Sequence, residues 1–500
     1  MEDKSVLSFN GVPIPSEGEK VIFAGGKPVT VPNRPIIPFI EGDGIGPEIS
    51  TAVRRMLDAA VKSLHGSKRG IVWYEIFAGE KAQAKLGNNL PQDTIDAIRH
   101  FGVAIKGPLG TPTGGGFRSL NVHTRKVLDL YQCVRPVRYF PGVASPLKKP
   151  ENVKVDIFRE NTEDVYAGIE YNFGTDEAQK IIDLVNSWGE TLDRDDTAIA
   201  IKPMSKRKSK RIVRAAIKHA LEKGLPSVTI VHKGNIQKYT EGNFRAWGYE
   251  VAAEFGDVIC YEDEFKANKW VLPAGKSLLV NDRIADNMFC QMVMRPQDYS
   301  VLALPNLLGD LMSDLAAALI GGLGIAPGSN YSDTVGLHEA THGTAPDIAG
   351  QNKANPGSLL LSAAQMMRHI GWNAVADLIE ATFARCIANK TVTGDLGRDM
   401  EGATNLGTIE FADAFIALLP EAPAEVAPDT VAVVADAPAG AKAAGEAVGS
   451  ANTAPAGSSD TVKDAADTVA PVAVVTTHEG VIAVETGAAT GGAGTDTSKT

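Results

Sequence analysis

The stretch KGPLGTPTGGGFRSLNVHTRKVLDLYQCVRPVR (residues 106–138) carries Ser119, Asn121, Arg125 and Arg135, a hydroxyl, an amide and two guanidiniums, and the later run IFREN adds Arg159. A guanidinium is a planar fork that binds a carboxylate through two parallel hydrogen bonds. Three of them converging beside a hydroxyl and an amide would suit a small polycarboxylate anion. Each arginine alone is more commonly a solvated or ion-paired surface residue, so this reading depends on convergence.

NLLGDLMSDLAA sets Asp310 and Asp314 four residues apart, on one face of a helix. Like charges at that spacing repel, and their neighbours are apolar, so a cation between them explains the pair better than a solvated acidic face does. With Asp286 from DRIADNMF they would form a hard, oxygen-rich site of the kind that holds Mg²⁺ or Mn²⁺. Tyr166 in DVYAGIE follows the Arg159 strand, and Lys233 in VHKGNIQK ends another. Both ordinarily titrate near pH 10, and burial beside cations or a metal would bring them into a useful acid–base range. Either residue by itself is more often structural.

Two glycine-bearing segments ask for a separate account. IIPFIEGDGIGPEI places Gly42, Gly44 and Gly46 between a strand and a helix, which invites a dinucleotide-binding reading. The spacing is GxGxG, and no acid-ended second strand is evident about 20 residues on, so a turn needing backbone freedom is preferred. HGTAPDIAGQNKANPGS (342–358) is too broken by Gly and Pro for a helix and holds one acid, Asp347. That carboxylate could cap a helix, accept hydrogen bonds from a ligand's hydroxyls, or face water.

The elements that must position these groups alternate along the chain. Short apolar runs at 36–40, 103–108, 155–160, 228–234 and 299–306 read as buried strands. Amphipathic periodicity predicts helices over 47–64, 91–100, 206–223, 240–255, 310–320, 357–369 and 371–388. Such alternation predicts α/β layers. Glycine-rich breaks at 107–116 and 321–328 are where the chain could cross between lobes, and there is no internal repeat.

A chain of 500 residues with 44% hydrophobic and 22% charged residues has room for two or three globular domains and excludes fibrous or wholly disordered classes. No signal-peptide pattern opens it and no long uncharged apolar run interrupts it, so the expectation is a cytoplasmic protein without a membrane partner. Cys133, Cys260, Cys290 and Cys386 are scattered without a CxxC pair, which supports neither a disulfide framework nor a zinc site. The net charge of −11 argues against nucleic acid as a partner. It is unevenly spread, for residues 421–500 hold eleven acids against three lysines. From Pro420 onward there is no aromatic residue and no arginine, a composition that offers little to offset the entropy of ordering. Residues 420–500 are therefore expected to be a disordered Ala/Val/Thr-rich acidic tail, with PVAVVTTHEGVIAVE leaving room for a small docking element and a partner that the sequence does not identify.

IEGDGIGPEI, RSLNV, YQCVRPVRY, FRENTEDVYAGIE, VHKGNIQKYTEG, NLLGDLMSDLAA and EATHGTAPDIAG occur in this order, and the chain from about residue 20 to 418 resembles the bacterial-type isocitrate dehydrogenases, within the decarboxylating β-hydroxyacid dehydrogenases. The resemblance implies an α/β, isocitrate/isopropylmalate dehydrogenase-like non-Rossmann fold. Its large domain would comprise 1–130 and 324–419, its small domain 131–163 and 206–323, and its clasp 164–205, with the tail outside. It further implies a homodimer with shared active sites. Ser119, Asn121, Arg125, Arg135 and Arg159 would bind isocitrate, and Lys233 and Asp286 would come from the other subunit to complete a site made with Tyr166, Asp310 and Asp314. The nicotinamide cofactor would rest on loops at Thr111, Asn235, His342, Gly343, Thr344, Ala345 and Asn355. The implied reaction is the tricarboxylic acid cycle step from isocitrate to 2-oxoglutarate and carbon dioxide. A divalent ion would lower the hydroxyl pKa, Lys233 would take the proton as hydride leaves, and Tyr166 would protonate the enolate.

The resemblance also bears on the choice of cofactor. Positions 347 and 348 would meet the adenine ribose. NADP-preferring members carry a cation and a tyrosine there, and another tyrosine where this chain has Gly394. Here they are Asp347 and Ile348, with Ala354 nearby. A carboxylate ~4 Å from a phosphate charge costs roughly 4 kcal/mol gross at an effective dielectric of ~20, before screening. The expected oxidant is therefore NAD, with Arg398 dissenting because it matches a position that helps to bind the 2′-phosphate. The alternatives are an NADP-dependent enzyme, then a homoisocitrate or 3-isopropylmalate dehydrogenase, although an isopropyl group would call for apolar residues where this chain has Ser119 and Asn121, then a metal-dependent lyase without a redox step.

Overall fold

The apolar runs gather into a single mixed sheet of eleven strands in the computed structural model, which describes residues 7–110 and 119–421. In chain order these are β1 Ile36–Ile40, β2 Val72–Glu75, β3 Val103–Lys106, β4 Gln132–Arg138, β5 Lys154–Glu160, β6 Ser227–His232, β7 Ile259–Tyr261, β8 Leu278–Ile284, β9 Val301–Leu304, β10 Pro327–Tyr331 and β11 Gly336–Ala340. Across the sheet the order is β7-β8-β6-β9-β5-β4-β10-β11-β3-β1-β2. The block from β7 to β5 is parallel, as is the block from β11 to β2. The two blocks run in opposite directions because β4 and β10, each antiparallel to both of its neighbours, lie between them.

Burial on both faces explains the continuous apolar strands. In β1 every residue is buried: Ile37 and Phe39 join one core with the helices Gly46–His65 and Gly357–His369, while Ile36 and Ile40 join a second with the helix Gln92–Phe101. In the opposite block, Val228 and Ile230 of β6 pack with Ile212, Ala216 and Phe244 from the helices Lys206–Lys223 and Glu241–Ala253. The fold is thus α/β, with the first core spanning both blocks.

Two sequence expectations need revision. A βαβ unit does follow the glycine turn, since the helix Gly46–His65 leads into β2, which pairs parallel with β1 and ends at Glu75. The glycines nevertheless serve packing. A Cβ on Gly42 would lie 2.5 Å from the Pro108 carbonyl oxygen, and one on Gly44 would lie 2.1 Å from that of Thr344. β10 and β11 escaped the reading altogether, because PGSNY and GLHEA are polar sequences whose buried groups satisfy one another, as Ser329 and His338 do at 2.8 Å.

Residues 164–205 hold an antiparallel pair, Ile169–Tyr171 with Ile199–Ile201, and the helix Asp176–Asn186, and they expose Phe173, Leu184 and Trp188. No helix among the described residues is long and apolar enough to cross a membrane. The expected tail lies outside the described residues beyond Glu421.

Candidate active site

β4 and β5 deliver two of the arginines to one face of the sheet. Cys133 pairs with Arg159, so Arg135, two residues from Cys133, is a diagonal neighbour of Arg159. Against them packs the helix Asn306–Leu319, and the missing Cβ of Gly309 makes room, since one would sit 2.5 Å from Cγ of Arg159. Arg159 is 1% exposed; its Nε donates to Oδ1 of Asn306 at 2.9 Å and its Nη1 to Asp310. Arg135 donates to Oγ of Ser313 at 2.6 Å and Oδ1 of Asp314 at 3.2 Å. The third guanidinium, Arg125, rises from the helix Leu120–Val127, which Ser119 caps by accepting the Val122 N–H at 3.5 Å. Nε of Arg125, Nε of Arg135 and Oδ1 of Asn121 are buried without a hydrogen-bond partner among the described residues. The arginines therefore converge, with donors to spare.

Tyr166 closes this cluster. Its hydroxyl donates to the other Asp310 oxygen, and the Arg159 guanidinium lies 4.9 Å from its ring centroid. Burial and the bond to Asp310 push the phenol up, the Arg159 charge opposing. The sequence expectation was a lowered value; desolvation and the Asp310 carboxylate outweigh the cation, so the Tyr166 hydroxyl keeps its proton at neutral pH. Burial alone would raise Asp310, but Arg159, Tyr166, Arg135 and Arg125 together hold it below the usual carboxylate range. Asp314 is raised by burial and by Asp310, against Arg135. A like-charged pair of this kind is suited to a cation.

Lys233 and Asp286 lie elsewhere in the chain. Lys233 follows β6, Asp286 stands in the first turn of the helix Ala285–Met294, and the two pair at 2.7 Å with side chains 32% and 69% exposed. That pairing holds Asp286 below its usual range. Neither shares a hydrogen bond or ion pair with Asp310 or Asp314 among the described residues, and no group of three His, Cys, Asp or Glu among them could hold a metal ion. The three expected carboxylates therefore do not meet in one group among the described residues. Asn235, exposed two residues beyond Lys233, stays with that pair.

Two functional residues escaped sequence reasoning. Lys106 and Glu339 are buried and 2.6 Å apart, and Glu339 also accepts from Arg125 at 2.6 Å and Asn330 at 2.8 Å. Burial favours its neutral form, yet Lys106 and Arg125 hold it well below the usual range. Glu339 therefore anchors Arg125. The only signal was a charge inside each of two short strands, VAIKGP and GLHEA.

The segment after β11 forms an irregular cradle. Ala345 takes a left-handed conformation (φ +40°), and Ile45 N–H donates to the Thr344 carbonyl at 2.9 Å. His342 is bonded at Nδ1 to the Gly343 carbonyl oxygen at 2.9 Å, while its buried Nε2 has no partner among the described residues. Burial lowers its pKa, leaving a neutral ring able to accept from a ligand hydroxyl or amine. Asn355 donates to Asp395 at 2.9 Å and accepts from Gly357 N–H at 2.8 Å. Ile348 packs against the first core and Asp347 is exposed. Gly343 is exposed beside them, and Thr111 lies outside the described residues.

The sequence model of the isocitrate/isopropylmalate dehydrogenase family matches residues 36–415, and the chain belongs to that family. Over 416 residues, 82% of this chain and 98% of the relative, it is 52% identical to "Isocitrate dehydrogenase [NADP]" of Archaeoglobus fulgidus. It is 50% identical to the protein of the same name from Pseudomonas aeruginosa over 420 residues, 82% and 100% of the two chains. Among solved structures, isocitrate dehydrogenase from Methylococcus capsulatus superposes with a TM-score of 0.64 at 37% identity, covering 76% of this chain and 98% of that one.

These relatives overturn the NAD expectation drawn from Asp347 and Ile348, because they are named for NADP. The physical reason lies in where Asp347 sits. Its carbonyl, not its carboxylate, is engaged, by Gln351 at 2.7 Å, and the exposed carboxylate faces water that screens most of the gross repulsion. Arg398, with 75% of its side chain exposed, stands three residues beyond Asp395, the partner of Asn355.

Proposed function

We propose that the chain is an NADP-dependent isocitrate dehydrogenase, converting isocitrate to 2-oxoglutarate and carbon dioxide as a homodimer with shared sites. The observation that carries this reading is the convergence of Arg125, Arg135 and Arg159 on Asp310 and Tyr166. Three buried guanidiniums match a tricarboxylate, and they now rest partly on the chain's own acids. Substrate carboxylates would replace Asp310 and Asp314 on Arg159 and Arg135. The released aspartates, with Asp286 from a second copy, would then hold Mg²⁺ or Mn²⁺. Such an ion acidifies the substrate hydroxyl and polarises the carbonyl that forms from it.

The other steps fall to protein groups. Lys233 of the second copy would accept the hydroxyl proton, and a bound nicotinamide would supply the acceptor for the hydride lost from the same carbon. The adjacent C–C bond then breaks, releasing carbon dioxide, and Tyr166 gives its proton to the carbon left behind. His342, Gly343, Thr344, Ala345 and Asn355, with Asn235 and Thr111, would cradle the cofactor, and Arg398 would meet its 2′-phosphate. A second copy is favoured because, among the described residues, Lys233 and Asp286 pair with each other while Asp310 and Asp314 pair with Arg159 and Arg135. It is also favoured by exposed Ile236, Tyr239, Met294 and Leu311 on the elements that carry these groups. In this reading the block from β11 to β2 belongs to the large domain, the block from β7 to β5 to the small one, and 164–205 to the clasp.

The test is nicotinamide reduction followed by absorbance with isocitrate and Mg²⁺, with NADP and NAD in separate runs and 3-isopropylmalate as the competing substrate. Rapid reduction of NADP with isocitrate is expected. Absence of reduction, or reduction with 3-isopropylmalate alone, overturns the reading.

A further inference from the structure

Lys202 follows the strand Ile199–Ile201 and lies between two acids that are each 1% exposed, Glu241 and Asp164. Its ammonium pairs with Oε1 of Glu241 and, at 3.4 Å, with Oδ1 of Asp164. Glu241 opens the helix Glu241–Ala253, and its second oxygen accepts the backbone N–H of Lys233. The next N–H, from Gly234, donates to Nδ1 of His232 at 3.0 Å. Gly234 is also pressed on Gly242, whose Cα would be 2.7 Å from any added Cβ. The turn that aims Lys233 is therefore fixed to the start of this helix through Glu241.

Asp164 does the corresponding work on the other side. It is held at φ +69°, uncommon for a residue with a Cβ. One oxygen accepts the Val165 N–H at 2.7 Å, at the head of the 3₁₀ turn Asp164–Ala167 that bears Tyr166. The other accepts the Leu307 N–H at 3.0 Å, in the first turn of the helix that bears Asp310 and Asp314. Buried acids of this kind are costly without a counter-charge, and Lys202 supplies it to both.

We propose that Lys202 is a positioning residue that sets two active sites at once: Tyr166 and the aspartate helix of its own site, and the Lys233 that its chain lends to the second copy. This rests on the shared-site dimer proposed above. Lys202 touches none of the arginines that would take the substrate, so its loss should show in kcat rather than in KM.

The test uses hybrid dimers isolated with two affinity tags. A Tyr166→Phe subunit paired with a Lys233→Met subunit retains one complete site. Lys202→Met is then added to one subunit or the other, in line with the intact Lys233 in the first case and the intact Tyr166 in the second. Each addition should lower kcat by ~10-fold or more while isocitrate KM moves less than ~3-fold, a misplacement effect. Lys202→Arg should recover most of the rate. An effect in one arm only, no effect in either, or a general loss of melting temperature that Lys202→Arg does not restore overturns the positioning role. An inactive Tyr166→Phe/Lys233→Met hybrid beside an active wild type refutes shared sites, and the bridge with them. A wild type that does not reduce NADP with isocitrate refutes the proposed reaction itself.

Discussion

Asp310 illustrates how one carboxylate serves two states. Without substrate it answers Arg159, a guanidinium almost without access to water, and accepts from Tyr166. In the proposed reaction, the same charge would be needed for a cation once substrate binds. Asp310→Asn keeps the shape and removes the charge, so it should cut kcat by ~10²-fold or more and weaken Mn²⁺ binding in a calorimetric titration. Unchanged turnover and Mn²⁺ affinity would remove Asp310 from the site. Arg398 tests the cofactor reading. Its loss removes charge-assisted bonds worth about 1.5–3 kcal/mol, so Arg398→Ala should raise KM for NADP by ~10-fold or more and leave the slow reaction with NAD unchanged. Equal changes with the two nucleotides would place Arg398 away from the 2′-phosphate. Residue types pointed to the arginines, Tyr166 and the aspartate pair, which the fold brings together. They misled at Asp347, where charge was legible but exposure was not, and the energy of a charge pair depends on both.

At the scale of elements, the long periodic helices and the apolar strands β1, β5, β6 and β9 were legible because their side chains alone fix where they lie. β10 and β11, central to the sheet and to Glu339, were not. Their polar groups are acceptable in the core only because neighbouring strands pair them, a fact of tertiary structure. His338 on β11 shows the consequence. It is fully buried, meets Ser329 at Nδ1, and lies 3.4 Å from His369 at the end of the helix Gly357–His369, where Phe23 of the strand Ile22–Ala24 stacks on His369 with ring centroids 4.9 Å apart. Burial depresses both rings, His369 to about 4. A histidine depressed on folding leaves stability fully present above its unfolded value, near 6.5, and lost as pH falls toward the folded one. From pH 6.5 to 4 that loss is up to ~3 kcal/mol for His369. Melting temperature should therefore drop by several degrees more over this range in the wild type than in His369→Phe. Parallel pH profiles for the two proteins would show that the pair does not titrate with folding.

Over the whole molecule, most of the net charge and the proposed site fall in different parts of the chain. Residues 421–500 hold eleven acids and three lysines, most of the net charge of −11, while every residue of the proposed site lies before them. The last described contacts of the body reach Leu418 and Pro420. Arg385 donates to the Leu418 carbonyl at 2.7 Å, and the Ser63 hydroxyl donates to the Pro420 carbonyl. A cut after Glu421 preserves both bonds, so turnover at physiological salt and the oligomeric state should not change, and the melting temperature should stay within about 2 °C. A cut after Leu419 removes the acceptor of Ser63, a half-buried bond worth about 1 kcal/mol, and should cost a further small step in melting temperature. At low ionic strength the shorter chains carry less negative charge toward an anionic substrate and cofactor. Their kcat/KM should therefore rise modestly there and converge with the full chain as salt is added. Calorimetry, sedimentation and a salt series on the three chains decide the matter. A loss of many degrees or of assembly after the cut at Glu421 would show that the tail docks on the body and belongs to the fold.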